Sequence, residues 1–488
     1  MPFAFALPSG VNIALLAAFA GLGVFASAGT VHERSWGITA AALVHSAGGV
    51  LAIVAADMIT LLIAWELLTF SAYFIIRTRS RRLPTAASPR AERAGVWYIA
   101  AQISAAALFF IAIVLHGMRT GSVMITVLQP QAQGFMFLAI LIKTAMMPLH
   151  GWLVGGYTEA SPTGSIILSV YATKVGVYTA ARLLAVSPGS FPLLSYTGAV
   201  VAVVAVANAL LQRSARRLLS YHIISQVGYM LVGVGVVSVA SNRDPGAVAG
   251  LFHAVNHIIY KALLFMTVAA VMHRVGHDDL RAMGGLRRAM PLTFVCAVVG
   301  AAAISGVPYT SGYASKELLK QVADPVPGYL LALASAGTTL SFIKFIYLIF
   351  MRRPPVAADQ PARMRHQPRS TPPIRIAMVT LAALSILIGT VPHIVPGVPA
   401  IDYYAPSALL MGVLPLVLGA GIWAIARKRI VTGLDRHAPR APIRSAVLVV
   451  TRSPLRLLRA THRLNPQLSV GIAVSAAVIL TFLLVLFA

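Results

Sequence analysis

The stretch LIKTAMMPLHGWL, residues 141–153, closes an apolar run that begins at Gly134. It sets Lys143 near the middle of a segment oily enough to enter a bilayer and puts Pro148 five residues later. A proline inside a helix removes one backbone donor and clashes with the preceding turn. Backbone freed at that depth persists only where it lines water or meets polar partners. An ammonium beside a helix break therefore predicts a hydrated pocket inside a membrane protein.

The rest of the chain fits a membrane setting. Of its 488 residues 58% are hydrophobic and 11% are charged, and the mean hydropathy is +0.81. A spanning helix needs about 20 mostly apolar residues. Fourteen windows meet that need: 12–29, 36–55, 58–77, 94–115, 134–154, 163–186, 192–212, 217–237, 246–273, 290–323 (interrupted), 328–351, 374–396, 404–426 and 468–487. No convincing cleavage site follows the first window, which reads as a helix and not a removed signal. The expected fold is an all-α integral membrane protein with about fourteen transmembrane helices.

One cysteine, Cys296, lies in an apolar window. It rules out a disulfide framework or a cysteine-ligated iron–sulfur cluster within this chain. No glycine-rich nucleotide fingerprint follows a strand pattern. We expect no cofactor, no metal and no active site of the chain's own, so its energy must come from partners.

The net charge of +26 would suggest nucleic acid in a soluble protein. Here the basic residues fall on alternate loops. One carries Arg77, Arg79, Arg81, Arg82, Arg90 and Arg93, and the next carries Arg213, Arg216 and Arg217. Arg274, Arg281, Arg287 and Arg288 follow, then Arg352 to Arg375, then ten Lys or Arg between Arg427 and Arg463. The opposite loops hold little beyond Arg119 and Arg243. The positive-inside rule makes the basic loops cytoplasmic in a plasma membrane and both termini external. Attraction to anionic lipid accounts for the charge without nucleic acid.

A faint repeat divides the chain. After an N-terminal helix (1–35), five helices (36–186) precede five more (192–351), and an odd number of spans inverts the second unit. The fourth member of each unit is interrupted, by KTAMMPLHGW with Pro148 and by SGVPYTSGYASK with Gly306, Pro308 and Gly312. The fifth members carry Lys174 and Lys344. Two further spans (374–426), a basic amphipathic segment (440–464) suited to the interface and an anchor (468–487) complete the expected organisation.

Lysine is used sparingly: seven of the 39 Lys and Arg residues, with Lys143, Lys174, Lys261, Lys316 and Lys344 inside apolar windows. Arginine keeps its proton in proteins, whereas a buried lysine can release one near neutral pH. Lys344, seven residues from its helix end, also suits snorkelling to the interface. Glu66 in LLIAWELLTF lies ninth in a twenty-residue window and reads as the one carboxylate deep in a helix. A lone buried glutamate needs a cation nearby to stay charged, and Lys143 is the candidate. In LFHAVNHIIYKALLF, His253, His257 and Lys261 recur every four residues and stack on one face. Histidine titrates near neutrality, so a relay is favoured over a metal pair, which a neighbouring ammonium would oppose. His222, Ser225 and Gln226 could join the same pockets.

Six collinear motifs, AWELLTFSAYF, IKTAMMPLHGWL, EASPTGSIILSVYATKVGVY, RRLLSYHIISQVGYMLVG, FHAVNHIIYKALLF and SGVPYTSGYASKELL, resemble the antiporter-like subunits of respiratory complex I. They are similar also to subunits of multisubunit Na⁺/H⁺ (Mrp) antiporters and membrane-bound hydrogenases. The resemblance covers about residues 36–350. It implies an inverted five-helix repeat and a mid-membrane proton path. Glu66 would match the family's helix glutamate, Lys143 the lysine of the first broken helix and Lys174 the connecting lysine. His253, His257 and Lys261 would match the central relay, and Lys316 the lysine of the second broken helix.

Family members usually begin with two more helices than this chain, and its basic tail and final span resemble a shortened lateral helix with anchor. These departures favour a divergent complex over a housekeeping one. The expected function is translocation of protons, or of sodium ions, by one component of a larger energy-coupling complex, with other membrane subunits as partners. The rival readings are a stand-alone carrier of a small anion, a scaffold, and the membrane component of an inorganic-carbon-uptake complex.

Overall fold

A computed structural model describes residues 9–33, 36–78, 89–184, 192–236, 245–353 and 372–433. The expected basic segment and final anchor lie outside the described residues. Everything regular within them is helical, apart from two isolated β-bridges, Asp57 to Met124 and Ser214 to Asp279.

The first helices are α1 (Val11–Glu33), α2 (Trp36–Val54), α3 (Met58–Arg77) and α4 (Pro89–Thr120). Asp57 caps α3, accepting from the Thr60 backbone N–H at 2.7 Å and its hydroxyl at 2.6 Å, which satisfies an orphan donor of the first turn. The opening motif then breaks as its proline requires. α5 (Pro130–Lys143) stops at the lysine, and α6 (Gly151–Glu159) restarts beyond Pro148. Ala145 adopts a left-handed φ of 57° inside the break. The indole of Trp152 reaches back from α6 to donate to the Ile142 carbonyl at 3.0 Å, which also accepts from the Ala145 N–H at 3.0 Å.

The window 163–186, expected to be one helix, is two: α7 (Pro162–Val170) and α8 (Ala172–Leu183), bent at Tyr171. No proline or glycine marks this bend. The Lys174 ammonium donates to the Ser169 carbonyl at 2.5 Å, replacing a partner lost at the bend. The buried charge thus stabilises the irregularity that the apolar pattern hides.

The second half comprises α9 (Pro192–Leu210), α10 (Ala215–Val234), α11 (Pro245–Val275), the short α12 (Leu286–Ala289), α13 (Pro291–Ser305), α14 (Ser311–Val322) and α15 (Pro325–Ile346). A π-turn, Tyr347–Met351, extends α15. Gly306 ends α13 with φ 85°, a left-handed cap that glycine adopts without steric cost. Gly306 and Pro308 occupy this break, but Gly312 lies one residue inside α14. A Cβ on Gly312 would stand 1.8 Å from the Ala303 carbonyl oxygen. Close packing on α13, not helix breaking, is what requires glycine at 312. Two final helices, α16 (Pro372–Thr390) and α17 (Pro406–Gly433), complete the described chain.

Eight helices are long and apolar enough to cross a membrane among the described residues. α11 forms the axis: every residue from Ala249 to His273 is buried, and α1, α7, α8, α10, α13, α14 and α16 pack around it. A helix apolar all round belongs inside a bundle. The polar exceptions on α11 therefore face protein on every side.

The arginine-bearing loops meet one another. Arg216 Nε lies 3.3 Å from Asp278 Oδ2, and its Nη1 donates to the Ala160 carbonyl at 2.6 Å. Ser214 donates to the same carboxylate at 2.5 Å. Arg352 donates to the Arg281 and Met283 carbonyls. At Asp279 burial would raise the carboxyl pKa, but hydrogen bonds from Arg281 outweigh it and hold the group below its ordinary range.

A buried line of lysines and histidines

Lys143 ends α5 fully buried, with its ammonium 4.7 Å from the Trp65 ring centroid. Its single long hydrogen bond goes to the Trp65 carbonyl, 3.4 Å away. Trp65 is fixed in turn by its N–H to the Thr179 hydroxyl of α8 at 3.1 Å and by Phe109 at 5.0 Å. The lysine stem packs on Gly176 of α8, where a Cβ would lie 3.1 Å from Lys143 Cγ. Glu66 follows Trp65 on α3 and is half-buried, and its Oε1 has no hydrogen-bond partner. No ion pair within 4.0 Å joins Glu66 to Lys143 among the described residues. Lys143 contacts Trp65, the residue before Glu66, without forming a closed salt bridge to the glutamate.

Lys174 and Lys261 are fully buried, and so are His253 and His257. Along α11 the three expected relay groups differ in how they are held. His253 Nδ1 lies 2.9 Å from the Ser315 hydroxyl of α14, and its Nε2 lies 3.1 Å from Gln226 Oε1 of α10. Gln226 Oε1 also accepts from Tyr260 at 3.3 Å. Both ring nitrogens of His257 and the Lys261 ammonium have no hydrogen-bond partner, although the ammonium faces the Phe265 and Phe342 rings at 6.0 and 5.9 Å. Buried polar groups are normally hydrogen-bonded to protein or to ordered water. The unpartnered middle of this row therefore calls for water.

Lys316 stands on α14, beyond the second break. Its ammonium donates to the Ile304 carbonyl at 2.8 Å, the Ser305 carbonyl at 3.2 Å and the Ser335 hydroxyl at 3.1 Å. It thus caps the free carbonyl end of α13, where a cation also opposes the helix dipole. Lys344 donates to the Leu210 and Gln212 carbonyls at 2.7 and 3.1 Å. It caps α9 at the arginine-bearing loops, so its ammonium sits at the edge and not in the central row.

His222 does reach the interior. Its Nε2 lies 2.8 Å from the Ser341 hydroxyl of α15, and its ring meets Phe342 at a tilt of 45° with centroids 4.7 Å apart. Ser225 has no partner. Several buried polar groups escaped the sequence reading, three of them near the row or its neighbours. His45 on α2 sits 2.8 Å from the Ser71 hydroxyl of α3. Gln102 on α4 is fully buried and unpartnered. Glu317 is buried and paired to Lys320 at 2.8 Å, so Glu66 is not the one buried carboxylate. The i, i+3 spacing of Glu317 and Lys320 was the available signal; His45 and Gln102 offered only single polar letters in apolar windows.

Known proteins share this architecture. The family described as NADH:quinone oxidoreductase/Mrp antiporter, TM matches residues 55–343. The chain is 28% identical over 318 residues to the L subunit of NADH-quinone oxidoreductase from Escherichia coli (strain K12), covering 61% of this chain and 49% of that protein. It is 28% identical over 365 residues to hydrogenase-4 component B of the same strain, covering 67% and 52%. It is 31% identical over 267 residues to the A/B component of a probable K(+)/H(+) antiporter from Rhizobium meliloti (strain 1021), covering 52% and 26%. The chain thus spans between about a quarter and about half the length of these relatives. A chain of the Mrp complex from Dietzia sp. DQ12-45-1b superposes with a TM-score of 0.65 at 24% identity, over 89% of this chain and 85% of that one. A chain of the membrane-bound sulfane sulfur reductase, an archaeal respiratory membrane complex, gives 0.67 at 24%, over 78% and 64%. On the match that spans both breaks and the whole lysine row, this chain belongs to the NADH:quinone oxidoreductase/Mrp antiporter transmembrane family.

Proposed function

We propose that the chain translocates protons as an antiporter-like membrane subunit of a larger energy-coupling complex. The observation that carries this reading is the row Lys143, Lys174, His257, Lys261 and Lys316, buried from end to end and least satisfied at its centre. A charge at the middle of a membrane helix costs about 2.5–3.5 kcal/mol on the insertion scale. Several of them without a transport role would be an unexplained burden. Glu66 sets the charge of Lys143, the row carries the proton along the mid-membrane, and Lys316 passes it on at the second break. His253 holds the row in register with α10 and α14.

The finer organisation belongs to the same proposal. Helices 36–186 and 192–351 form two inverted units, with α5–α6 and α13–α14 as their matching broken members, in a plan of fourteen spans. The arginine-bearing loops face the cytoplasm, both termini face out, and other membrane subunits supply the driving energy. Relatives from complex I, hydrogenase and cation/proton antiporter assemblies favour this over an inorganic-carbon-uptake component or a lone anion carrier. The test is Lys143→Arg in the complex purified with its partners and reconstituted in vesicles. Proton movement should be lost although the positive charge and the assembly remain. Retained movement in Lys143→Arg, or in Lys143→Ala, would reduce the chain to a carrier of another kind or a scaffold.

A further inference from the structure

Among the buried side-chain atoms without a hydrogen-bond partner, five fall on α3, α4 and α6, off the lysine row: Glu66 Oε1, the Tyr98 and Tyr157 hydroxyl oxygens, and both ends of the Gln102 amide. They come from α3, α4 and α6, which pack on one another. Tyr98 and Gln102 are one turn apart on the same face of α4. Trp152 stands between the two tyrosines, with ring centroids 5.1 Å from Tyr98 and 6.3 Å from Tyr157.

Depth orders these groups. α6 ends where the Ala160 carbonyl receives Arg216, so Tyr157 lies about one turn inside the arginine-bearing face. Gly156 packs between Tyr98 and Ile76, whose atoms would lie 3.2 and 2.9 Å from an added Cβ. Tyr98 therefore sits near the α3 end that carries Arg77. Trp65, the neighbour of Glu66, meets Phe109 with ring centroids 5.0 Å apart, and Phe109 follows Gln102 by about two turns of α4. From the basic-loop face inward the order is Tyr157, Tyr98, Gln102, Glu66.

The chemistry of the set selects its occupant. A bare metal cation would need acceptors only, yet the phenols and the amide donate as well as accept. An apolar occupant would leave all five atoms unpaired, whereas water both donates and accepts. We propose that Tyr157, Tyr98, Gln102 and Glu66 line a water-filled inlet between α3, α4 and α6, by which Glu66 exchanges protons with the basic-loop face without passing through Lys143. A proton delivered along the inlet bonds to the Glu66 carboxylate, and the water chain regains one from bulk solvent. The inlet's role rests on the proton-translocating reading, but the presence of water in it does not.

The experiment replaces Cys296, the one native thiol, by Ala and adds Gln102→Cys. Membrane vesicles of both orientations are treated with 2-aminoethyl methanethiosulfonate. A thiol reacts as thiolate, which forms readily only where water reaches it. Gln102→Cys should be labelled from the face that labels the exposed loop position in Arg217→Cys, and much faster than the buried Ala112→Cys. Labelling no faster than Ala112→Cys, or only from the opposite face, overturns the inlet; Tyr157→Cys gives the same reading should Gln102→Cys fail to fold. With water established, Tyr98→Phe/Tyr157→Phe should slow proton movement several-fold in the reconstituted complex, while native rates overturn the inlet's role. Loss of the parent reading shows differently: Gln102→Cys is labelled as expected, yet the native complex moves no protons.

Discussion

The two broken helices place their lysines on opposite sides of the gap. In the first, Lys143 is the last residue before the break and keeps one long hydrogen bond and a ring contact. In the second, Lys316 follows the break and makes three hydrogen bonds, two of them to the carbonyls that the break released. One ammonium is loosely held beside a carboxylate, and the other is tied into the fold. A loosely held group can change protonation with little rearrangement, whereas a capping group that loses its proton must give up part of its cap. The first break is thus suited to switching, and the second couples protonation to the shape of α13.

That contrast can be broken at several points. The largest effect is expected from Gly312→Ala, which drives a methyl into the Ala303 carbonyl. Its α13–α14 packing should fail, with overpacking costs at or above the usual range of about 1–3 kcal/mol, read as a lower melting temperature of the purified complex and lost proton movement. Lys316→Ala comes next. It leaves the Ile304 carbonyl without its ammonium partner and the Ser305 carbonyl with the Ser335 hydroxyl alone, at about 1–3 kcal/mol for a buried group left unpaired, so stability and transport should fall together. Lys143→Ala should instead remove transport with little change in melting temperature, because its bonds contribute little. Equal melting losses at the two lysines would erase the distinction.

Gly176→Ala should be milder and more specific. The added methyl presses on the Lys143 stem at 3.1 Å, so proton movement should drop several-fold while assembly is kept. An unchanged rate would mean that the Lys143 position is not critical. The smallest effect is expected from Ser335→Ala. It removes one of the three bonds to Lys316 and the hydroxyl's own bond to the Ser305 carbonyl, each worth about 0.5–1.5 kcal/mol, and should slow transport only slightly.

The sequence discloses the helical class, both breaks and the lysine row, because each depends on local chemistry. An ammonium or a proline in an apolar run has few explanations, and a glycine before Lys316 marks the left-handed cap at 306. What it hides depends on contacts between distant segments. The bend at Tyr171 has no breaker residue and exists because Lys174 replaces the lost partner of Ser169. Gly312 reads as a breaker until α13 is seen against it. Lys344 suits either the row or the interface by its sequence position, and its ammonium is found on the end of α9. Tyr98, Gln102 and Tyr157 are ordinary letters on two helices, and only their meeting beside Glu66 gives them meaning.

The most direct test of the account is Lys261→Arg in the assembled, reconstituted complex. Lys261 is buried at the centre of the row, has no hydrogen-bond partner and faces the Phe265 and Phe342 rings, so a fixed guanidinium there keeps the charge and abolishes proton release. The account predicts an intact complex whose proton movement falls at least about tenfold, equivalent to about 1.4 kcal/mol in the barrier. Native proton movement through Lys261→Arg would contradict it.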